Sequence, residues 1–325
     1  MILPGGDPDA LARAASLLAS GGLVAFPTET VYGLGARADD DAAVTAIFAA
    51  KGRPADHPLI VHVADLAHAA QFAAQTPAVA LRLMQKLWPG PLTLIVPRAP
   101  GMATAAAGGH SSIGLRCPAH PVALALLAAA LRLGVPGVAA PSANRFGRIS
   151  PTRAAHVAVE FGEDLLVLDG GPCEMGIESA IVDCTRGRPV LLRPGGLTRA
   201  QIEAAAGQPL HDRDSGSARA PGTLEAHYAP RASLRLMAPE ALRAALLVLG
   251  PDSAGVAVYS RTALQDGSNP LFRRMPDNAA AVGHELFAVL RELDATGTPL
   301  IWVEQPPDEP EWEGVRDRLR RAAAA

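Results

Sequence analysis

Leu23-Val-Ala-Phe-Pro-Thr-Glu-Thr-Val-Tyr-Gly-Leu-Gly35 is an apolar run that breaks at Pro27 into hydroxyls, a carboxylate and backbone-permissive glycines. The apolar residues, bounded by Gly21-Gly22 on one side and Pro27 on the other, read as a buried strand. Before them, Ala10 to Ala19 carries Leu11, Leu17 and Leu18 at helical spacing, and the glycine pair stops that helix. A helix therefore feeds a buried strand that opens into a polar loop, and in an open α/β sheet that end of a strand is where ligands bind. On composition alone the loop equally suits a corner whose Thr residues bond their own backbone.

Working outward, a second helix is predicted from about Asp40 to Ala50, with Asp residues at its positive start and Val44, Ile47 and Phe48 in one stripe. Strands are predicted at 59–63, 92–96, 112–117, 137–140, 165–168, 180–182 and 190–192, with helical patterns between several of them. Only Asp183-Cys-Thr-Arg-Gly-Arg-Pro189 separates the last two. They form a hairpin, so the sheet is mixed rather than purely parallel. Thr198 and Gln201 read as a capping box. Gly33-Leu-Gly35-Ala-Arg-Ala38 fits GxGxxA, but Pro27 to Tyr32 separates it from its strand, whereas a dinucleotide fingerprint turns directly into its helix. It reads as an ordinary turn.

The chain has 325 residues, and single cores stop growing near about 250–300 residues, so two domains are expected. Periodicity lapses between Gly207 and Arg231, where Asp212-Arg-Asp-Ser-Gly-Ser217 has the composition of a flexible connection. This sets expected bounds of 1–206 for the first domain, 207–231 for a linker and 232–325 for the second domain. Beyond the linker, strand-like 234–237, 256–259 and 300–303 alternate with helical patterns, the signature of a small doubly wound α/β unit.

Aromatic residues make up 4% of the chain against 49% hydrophobic overall, so the cores are aliphatic. The 29 basic and 32 acidic residues give a net charge of −3, which supplies no global positive field for a long polyanion. Cys117, Cys173 and Cys184 form no CxxC pair, arguing against a disulfide framework or a structural zinc site. The N-terminus lacks a basic region followed by an apolar stretch, and no apolar run reaches the ~18 residues of a membrane span. A cytoplasmic protein is expected.

No Walker A sequence is present, which excludes a P-loop NTPase. Lys51-Gly-Arg-Pro-Ala-Asp-His57-Pro places two cations just past a helix; Lys51 alone is explained by the helix dipole, whereas Arg53 lies in a rigidified loop where its fork could grip phosphate. His62 sits on the strand face opposite Leu59, Val61 and Val63, and a lone strand histidine is a weak signal. Ser112, Gly114 and Arg116 share one strand face, read either as a half-exposed edge or as the lining of an anion pocket. Pro141-Ser-Ala-Asn144 ends another strand with a hydroxyl and an amide. Ser150-Pro-Thr-Arg153 is expected to open a helix with Ser150 as its cap, a position that favours anions, although plain N-capping explains Ser150 equally well. Glu178-Ser179 precedes the hairpin and Arg193-Pro-Gly-Gly196 follows it. Lys51, Arg53, Arg116 and Arg193 all fall at strand ends or in Gly/Pro-rich loops, a constellation suited to a small, highly charged anion such as a nucleotide triphosphate.

Pro27-Thr-Glu-Thr-Val-Tyr-Gly-Leu-Gly35, Lys51-Gly-Arg-Pro54, His57-Pro-Leu-Ile-Val-His62, Pro141-Ser-Ala-Asn144 and Arg193-Pro-Gly195 together resemble the YrdC family, specifically its threonylcarbamoyl-AMP synthases. Ala220-Pro-Gly-Thr-Leu-Glu-Ala-His-Tyr-Ala-Pro230 is similar to the linker of the long, two-domain form. The resemblance implies an α/β fold: an N-terminal YrdC-like twisted mixed sheet with flanking helices around a positive cavity, a linker acting as a lid, and a smaller C-terminal Rossmann-like α/β domain. It implies ATP contacts at Lys51, Arg53, His57, Ser112, Ser142, Asn144, Ser150, Arg193 and Tyr228, with Lys51 and Arg53 catalytic. Threonine contacts are implied at Thr30, His62, Arg116, Ala140 and Ser179. His57 departs from the pattern, since many relatives carry Asn there. The implied reaction makes threonylcarbamoyl-AMP and pyrophosphate from L-threonine, bicarbonate and ATP, with Mg2+ accompanying ATP and no metal ligand assigned to the protein. The product passes to a downstream threonylcarbamoyl transferase complex for t6A modification at tRNA position 37, with tRNA contact indirect or weak. Two rival readings are a carbamoyl-transfer enzyme, whose relatives add zinc-finger and acylphosphatase segments not seen here, and an RNA-binding module, against which the net charge and the lack of aromatic stacking motifs count.

Overall fold

The computed structural model of the chain describes residues 1–263 and 269–325. These form two compact units, Met1–Phe146 with Ser150–Thr223 and Gly147–Ile149 with Leu224–Ala325. In the first unit an 11-stranded sheet runs in the order Ile2–Pro4, Leu166–Asp169, Val24–Phe26, Gly33–Arg37, Val138–Ala139, Ile60–His62, Ser112–Arg116, Leu92–Pro97, Ala180–Asp183, Val190–Arg193 and His211–Asp212. Parallel and antiparallel neighbours are interspersed, so the sheet is mixed. The hairpin expected from residues 180–193 is there as an antiparallel pair. Thr198 and Gln201 make a reciprocal capping box on helix Arg199–Ala206.

Both sheet faces are covered. Helices Pro8–Ala19 and Pro121–Arg132 lay Ala14, Leu18, Leu126 and Leu127 against Val24, Phe26 and Leu168. Helices Asp41–Lys51, Ala78–Leu87 and Arg199–Ala206 supply Val44, Ile47, Leu83 and Ile202 to the larger core. Helix Asp41–Lys51 starts where the sequence places it because Asp40 accepts from the N–H groups of Ala42 and Ala43. It ends at Gly52, whose φ of 64° is left-handed.

Three local expectations are corrected. Gly33–Arg37 is a strand, antiparallel to Val24–Phe26, and not a turn. A Cβ at Gly35 would lie 2.7 Å from Val138 Cγ1 and 2.8 Å from Phe26 Cε1, so this glycine answers to close packing within the sheet. Secondly, Ser150 does not cap a helix: the helix runs Ala154–Phe161, with Arg153 at its N-cap. Residues 150–152 are pinned beforehand, Pro151 O accepting from Tyr32 N at 2.9 Å and Thr152 O from Cys173 N at 3.0 Å. The third concerns the segment read as a flexible connection, which is tied to the hairpin. His211–Asp212 pairs with Val190 and Leu191, and Asp214 accepts from Arg186 at 2.9 Å and Arg188 at 3.1 Å. One further strand, Ile2–Pro4, carries no periodic signal and forms only by pairing with Leu166–Asp169.

The second unit holds a four-stranded sheet in the order Ser233–Met237, Leu300–Glu304, Ala257–Ser260, Phe272–Arg274, parallel throughout. This is the doubly wound pattern expected from its alternating elements, with Leu242, Val258, Phe272 and Trp302 in one core cluster.

Gly195 is the tightest backbone approach near the hairpin: a Cβ there would fall 2.3 Å from Ala180 N and 2.8 Å from Ser179 C. Gly195→Ala is expected to lower stability by about 1–3 kcal/mol through overpacking, read as a lower urea midpoint. Gly6→Ala, which meets nothing within 4 Å, is the matched control and is expected to leave the midpoint unchanged.

Candidate active site

The loop after Val24–Phe26 closes on itself and then on its neighbours. The Thr28 hydroxyl donates to Val31 O at 2.7 Å and accepts from the N–H groups of Thr30 and Val31, so the self-bonded corner is realised at Thr28. With its proton committed to Val31, Thr28 Oγ1 accepts from Thr30 Oγ1 at 2.8 Å. That leaves Thr30 Oγ1 free to accept from Arg116 Nη1 at 2.9 Å. The following residues stitch to the Pro141–Asn144 loop: Leu34 N donates to Pro141 O and Ala143 N to Tyr32 O, both at 2.8 Å. Motifs more than a hundred residues apart in sequence thus share one end of the sheet.

Arg116 sits on an inner strand, so the half-exposed edge reading fails for it. It is 3% exposed, and its Nη2 lies 2.6 Å from Glu29 Oε1 while Nε donates to Gly90 O at 3.3 Å. His62, its register partner on the adjacent strand, meets the Phe26 ring edge-on at 6.0 Å. Burial, and then the Arg116 charge, push the His62 pKa down to about 3, so its ring is neutral across physiological pH. Ser179 Oγ lies 2.8 Å from Thr93 Oγ1 and accepts from Arg193 Nη2 at 3.2 Å. Ala140 N donates to Ile60 O at 2.9 Å, holding the end of its strand beside this group. The residues expected at the threonine site are therefore gathered on neighbouring strands and loops.

A second cluster, Lys51, Arg53 and His57, surrounds Phe146, and Ser112, Ser150 and Arg193, also expected to contact ATP, are placed separately. Lys51 is 3% exposed, and its Nζ donates to Ser142 O at 2.6 Å and to Asn144 O. Burial first, then the Arg53 charge, holds this ammonium well below the usual lysine range. Arg53 donates to Pro58 O at 3.0 Å and stacks over the Phe146 ring at 5.6 Å, and His57 meets the same ring at 5.5 Å. Asn144 Nδ2 donates to Arg145 O at 2.7 Å. Ser150 donates to Glu178 Oε1 at 2.5 Å, so its hydroxyl is turned to a carboxylate and not to a helix start. Arg193 binds Ser179 O through Nε and Nη2 and Pro221 O through Nη1, at 2.9–3.1 Å. Ser112 lies at the opposite end of its strand from Arg116, partly exposed.

Tyr228 belongs to the second unit. It is 1% exposed, with its ring 5.4 Å from Phe287 and 4.1 Å from His227 and the Arg318 guanidinium 5.5 Å above it. Its φ of 64° is a genuine outlier for a bulky residue. Sequence reasoning passed over Glu29 as the partner of Arg116, Glu178 as the acceptor for Ser150, and Thr93 beside Ser179. Thr93 left a signal, being a polar residue inside the apolar run Leu92–Val96; the two carboxylates left none, since each finds its partner far along the chain.

Among the described residues no group of three or more His, Cys, Asp or Glu is placed to hold a metal ion. What the arrangement offers chemically is buried cations beside hydroxyls and main-chain carbonyls, suited to holding anions and neutralising charge.

A family model covering Sua5, YciO and YrdC proteins, described as Telomere recombination, matches residues 16–195, and a model described as Threonylcarbamoyl-AMP synthase, C-terminal domain, matches residues 197–324. The chain is 38% identical over 322 residues to the threonylcarbamoyl-AMP synthase of Pyrococcus abyssi, spanning 95% of this chain and 93% of that protein. It is 40% identical over 331 residues to that of Bacillus subtilis, spanning 98% and 93%. Among solved structures, P. abyssi Sua5 complexed with L-threonine superposes with a TM-score of 0.86 at 37% identity, covering 96% of this chain and 94% of that one. A variant of the same protein gives 0.90 at 34% identity, covering 99% and 96%.

The buried neutral His62 makes a pH signature. Its folded pKa is depressed to about 3, below the unfolded value near 6.5, so below pH ~6.5 the unfolded chain binds a proton the native chain refuses. Its contribution to stability is flat above that pH and falls by up to about 1.4 kcal/mol per pH unit as pH drops towards 3. Urea unfolding at stepped pH is expected to show a shallower acid loss for His62→Gln than for the unmodified protein.

Proposed function

The chain belongs to the YrdC family of threonylcarbamoyl-AMP synthases, in its two-domain form, and we propose that it joins L-threonine, bicarbonate and ATP into threonylcarbamoyl-AMP. The observation that carries this reading is the burial of Lys51, Arg53, Arg116 and Arg193, none more than 9% exposed, around two clusters of hydroxyls and main-chain carbonyls. Buried cations hold anions far better than exposed ones do. One cluster suits a small amino acid and the other a polyphosphate.

In this mechanism the threonine amine adds to CO2 derived from bicarbonate and loses a proton to give a carbamate. A carbamate oxygen then attacks the α-phosphorus of ATP, the bond to the bridging oxygen breaks, and pyrophosphate leaves. No side-chain nucleophile takes part. Arg116 receives the threonine carboxylate bidentately, with Thr30 and Ser179 offering hydroxyls. Lys51, Arg53 and Arg193 neutralise the phosphates, while His57, Ser112, Ser142, Asn144 and Ser150 complete the nucleotide contacts. A polyphosphate beside Lys51 favours the charged ammonium, opposing the burial that lowers its pKa. Mg2+ enters on ATP as part of the substrate and spreads the developing charge.

The part of the linker that lies in the first unit acts as the lid and keeps water from the labile anhydride; Arg193, which touches both Ser179 and Pro221, joins it to the site. No described helix is long and apolar enough to cross a membrane. A cytoplasmic setting fits, with the product consumed by a threonylcarbamoyl transferase complex for t6A formation on tRNA.

Pyrophosphate release from Mg-ATP is expected to need threonine and bicarbonate together. Release without either, or none despite ATP binding, would turn the assignment to the carbamoyl-transfer or RNA-binding reading. Arg116→Ala is expected to raise the threonine KM by about a hundredfold with far less effect on ATP, as for a truncated buried ion pair. Lys51→Ala and Arg53→Ala are expected to do the reverse. Equal losses for both substrates would remove the assigned roles.

A further inference from the structure

The loop carboxylate Glu29 has no part in the mechanism above, yet it is 5% exposed and is the carboxylate against Arg116, Oε1 to Nη2 at 2.6 Å. Its other oxygen, Oε2, accepts from Ala119 N at 3.1 Å, and its main-chain O accepts from Met175 N at 2.8 Å. The side chain is thus fixed from both ends.

We propose that Glu29 is the positioning and specificity residue of the amino-acid pocket: it locks the Arg116 guanidinium and cancels its charge, so that the pocket selects a zwitterion over an anion. This rests on the reading that the pocket takes threonine. A guanidinium has five N–H donors. Nε is committed to Gly90 O and one donor of Nη1 to Thr30, while Nη2 is held by the Glu29 charge at 2.6 Å without an aligned hydrogen bond. At least one donor therefore remains on each terminal nitrogen, which is what a bidentate carboxylate needs.

An isolated buried Arg116 would attract any small carboxylate, with or without an amine. Paired with Glu29 it forms a neutral unit, and an arriving anion meets Glu29 repulsion as well as Arg116 attraction. The α-ammonium of an amino acid offsets that repulsion; a hydroxyl in its place does not. The titratable neighbours do not upset this balance: His62 is neutral, burial lowers the pKa of His120, which faces Glu29, and burial keeps the Cys173 and Cys117 thiols protonated.

The test measures binding of L-threonine and of 2,3-dihydroxybutyrate, the analogue with a hydroxyl in place of the amine, by calorimetry on the full chain. The unmodified protein is expected to prefer threonine. Glu29→Gln, which keeps the shape and removes the charge, is expected to weaken threonine by about tenfold or more, as for loss of a charged partner. The same variant should bind the analogue more tightly, with ATP affinity unchanged as the check of folding. Glu29→Asp keeps the charge and is expected to retain the preference for threonine while lowering kcat, because Arg116 is set back. An unchanged threonine-to-analogue ratio in Glu29→Gln overturns the inference. So does loss of the preference in a Glu29→Asp that still binds ATP, or equal binding of both ligands by the unmodified protein. Failure of the unmodified protein to bind threonine at all is a different result, which removes the threonine reading together with the inference.

Discussion

A guanidinium buried to 3% exposure is the constraint on which the rest of the first unit depends. An unpaired charge in such a place costs several kcal/mol, and Arg116 escapes that cost only if Glu29, Thr30 and Gly90 O arrive at fixed positions around it. Glu29 and Thr30 arrive together because Thr28 turns the loop back on itself and because the strand after the loop is clamped between its neighbours. The sheet order, with Ser112–Arg116 in its interior, is therefore inseparable from the chemistry at its end.

The two halves of the site use opposite means of holding a cation. Arg116 is met by a carboxylate, which leaves the pocket close to neutral. Lys51 is held by the main-chain carbonyls of Ser142 and Asn144, which orient the ammonium without cancelling it. On the proposed assignment, these two environments suit a zwitterion and a polyphosphate respectively. Arg193 is bound to Ser179 on one side and to Pro221 of the linker segment on the other.

The second unit shows an economy of its own. Asp294, near the end of helix Ala279–Ala295, accepts from Arg231 N at 2.7 Å and Ala232 N at 2.9 Å and pairs with Arg148 at 3.4 Å. Ala229 N donates to Gly147 O at 2.8 Å. One carboxylate thereby fastens both stretches of chain that enter this unit, 147–149 and the run beginning at 224. Tyr228, in the midst of them, keeps its left-handed backbone because the surrounding rings and Arg318 over-determine its position.

What the amino-acid sequence determined by itself is whatever nearest neighbours control: the buried run ending at Phe26, the helix capped by Asp40 and ended by Gly52, the Thr198–Gln201 box, the 180–193 hairpin and the βα alternation beyond 231. Each rests on bonds or packing between residues a few positions apart, so spacing alone reports it. The motif residues were legible too, because cations and hydroxyls stood out in Gly/Pro-rich loops. Tertiary structure alone decided that Gly33–Arg37 is a strand, since Gly35 answers to Phe26 and Val138 and not to a turn. It also turned Ser150 to Glu178, placed Tyr228 in the second unit and set Glu29 against Arg116. These partners lie many residues apart, and a charge or hydroxyl in a loop carries no local mark of which distant group it will meet. Only closure of the sheet brings the pair together.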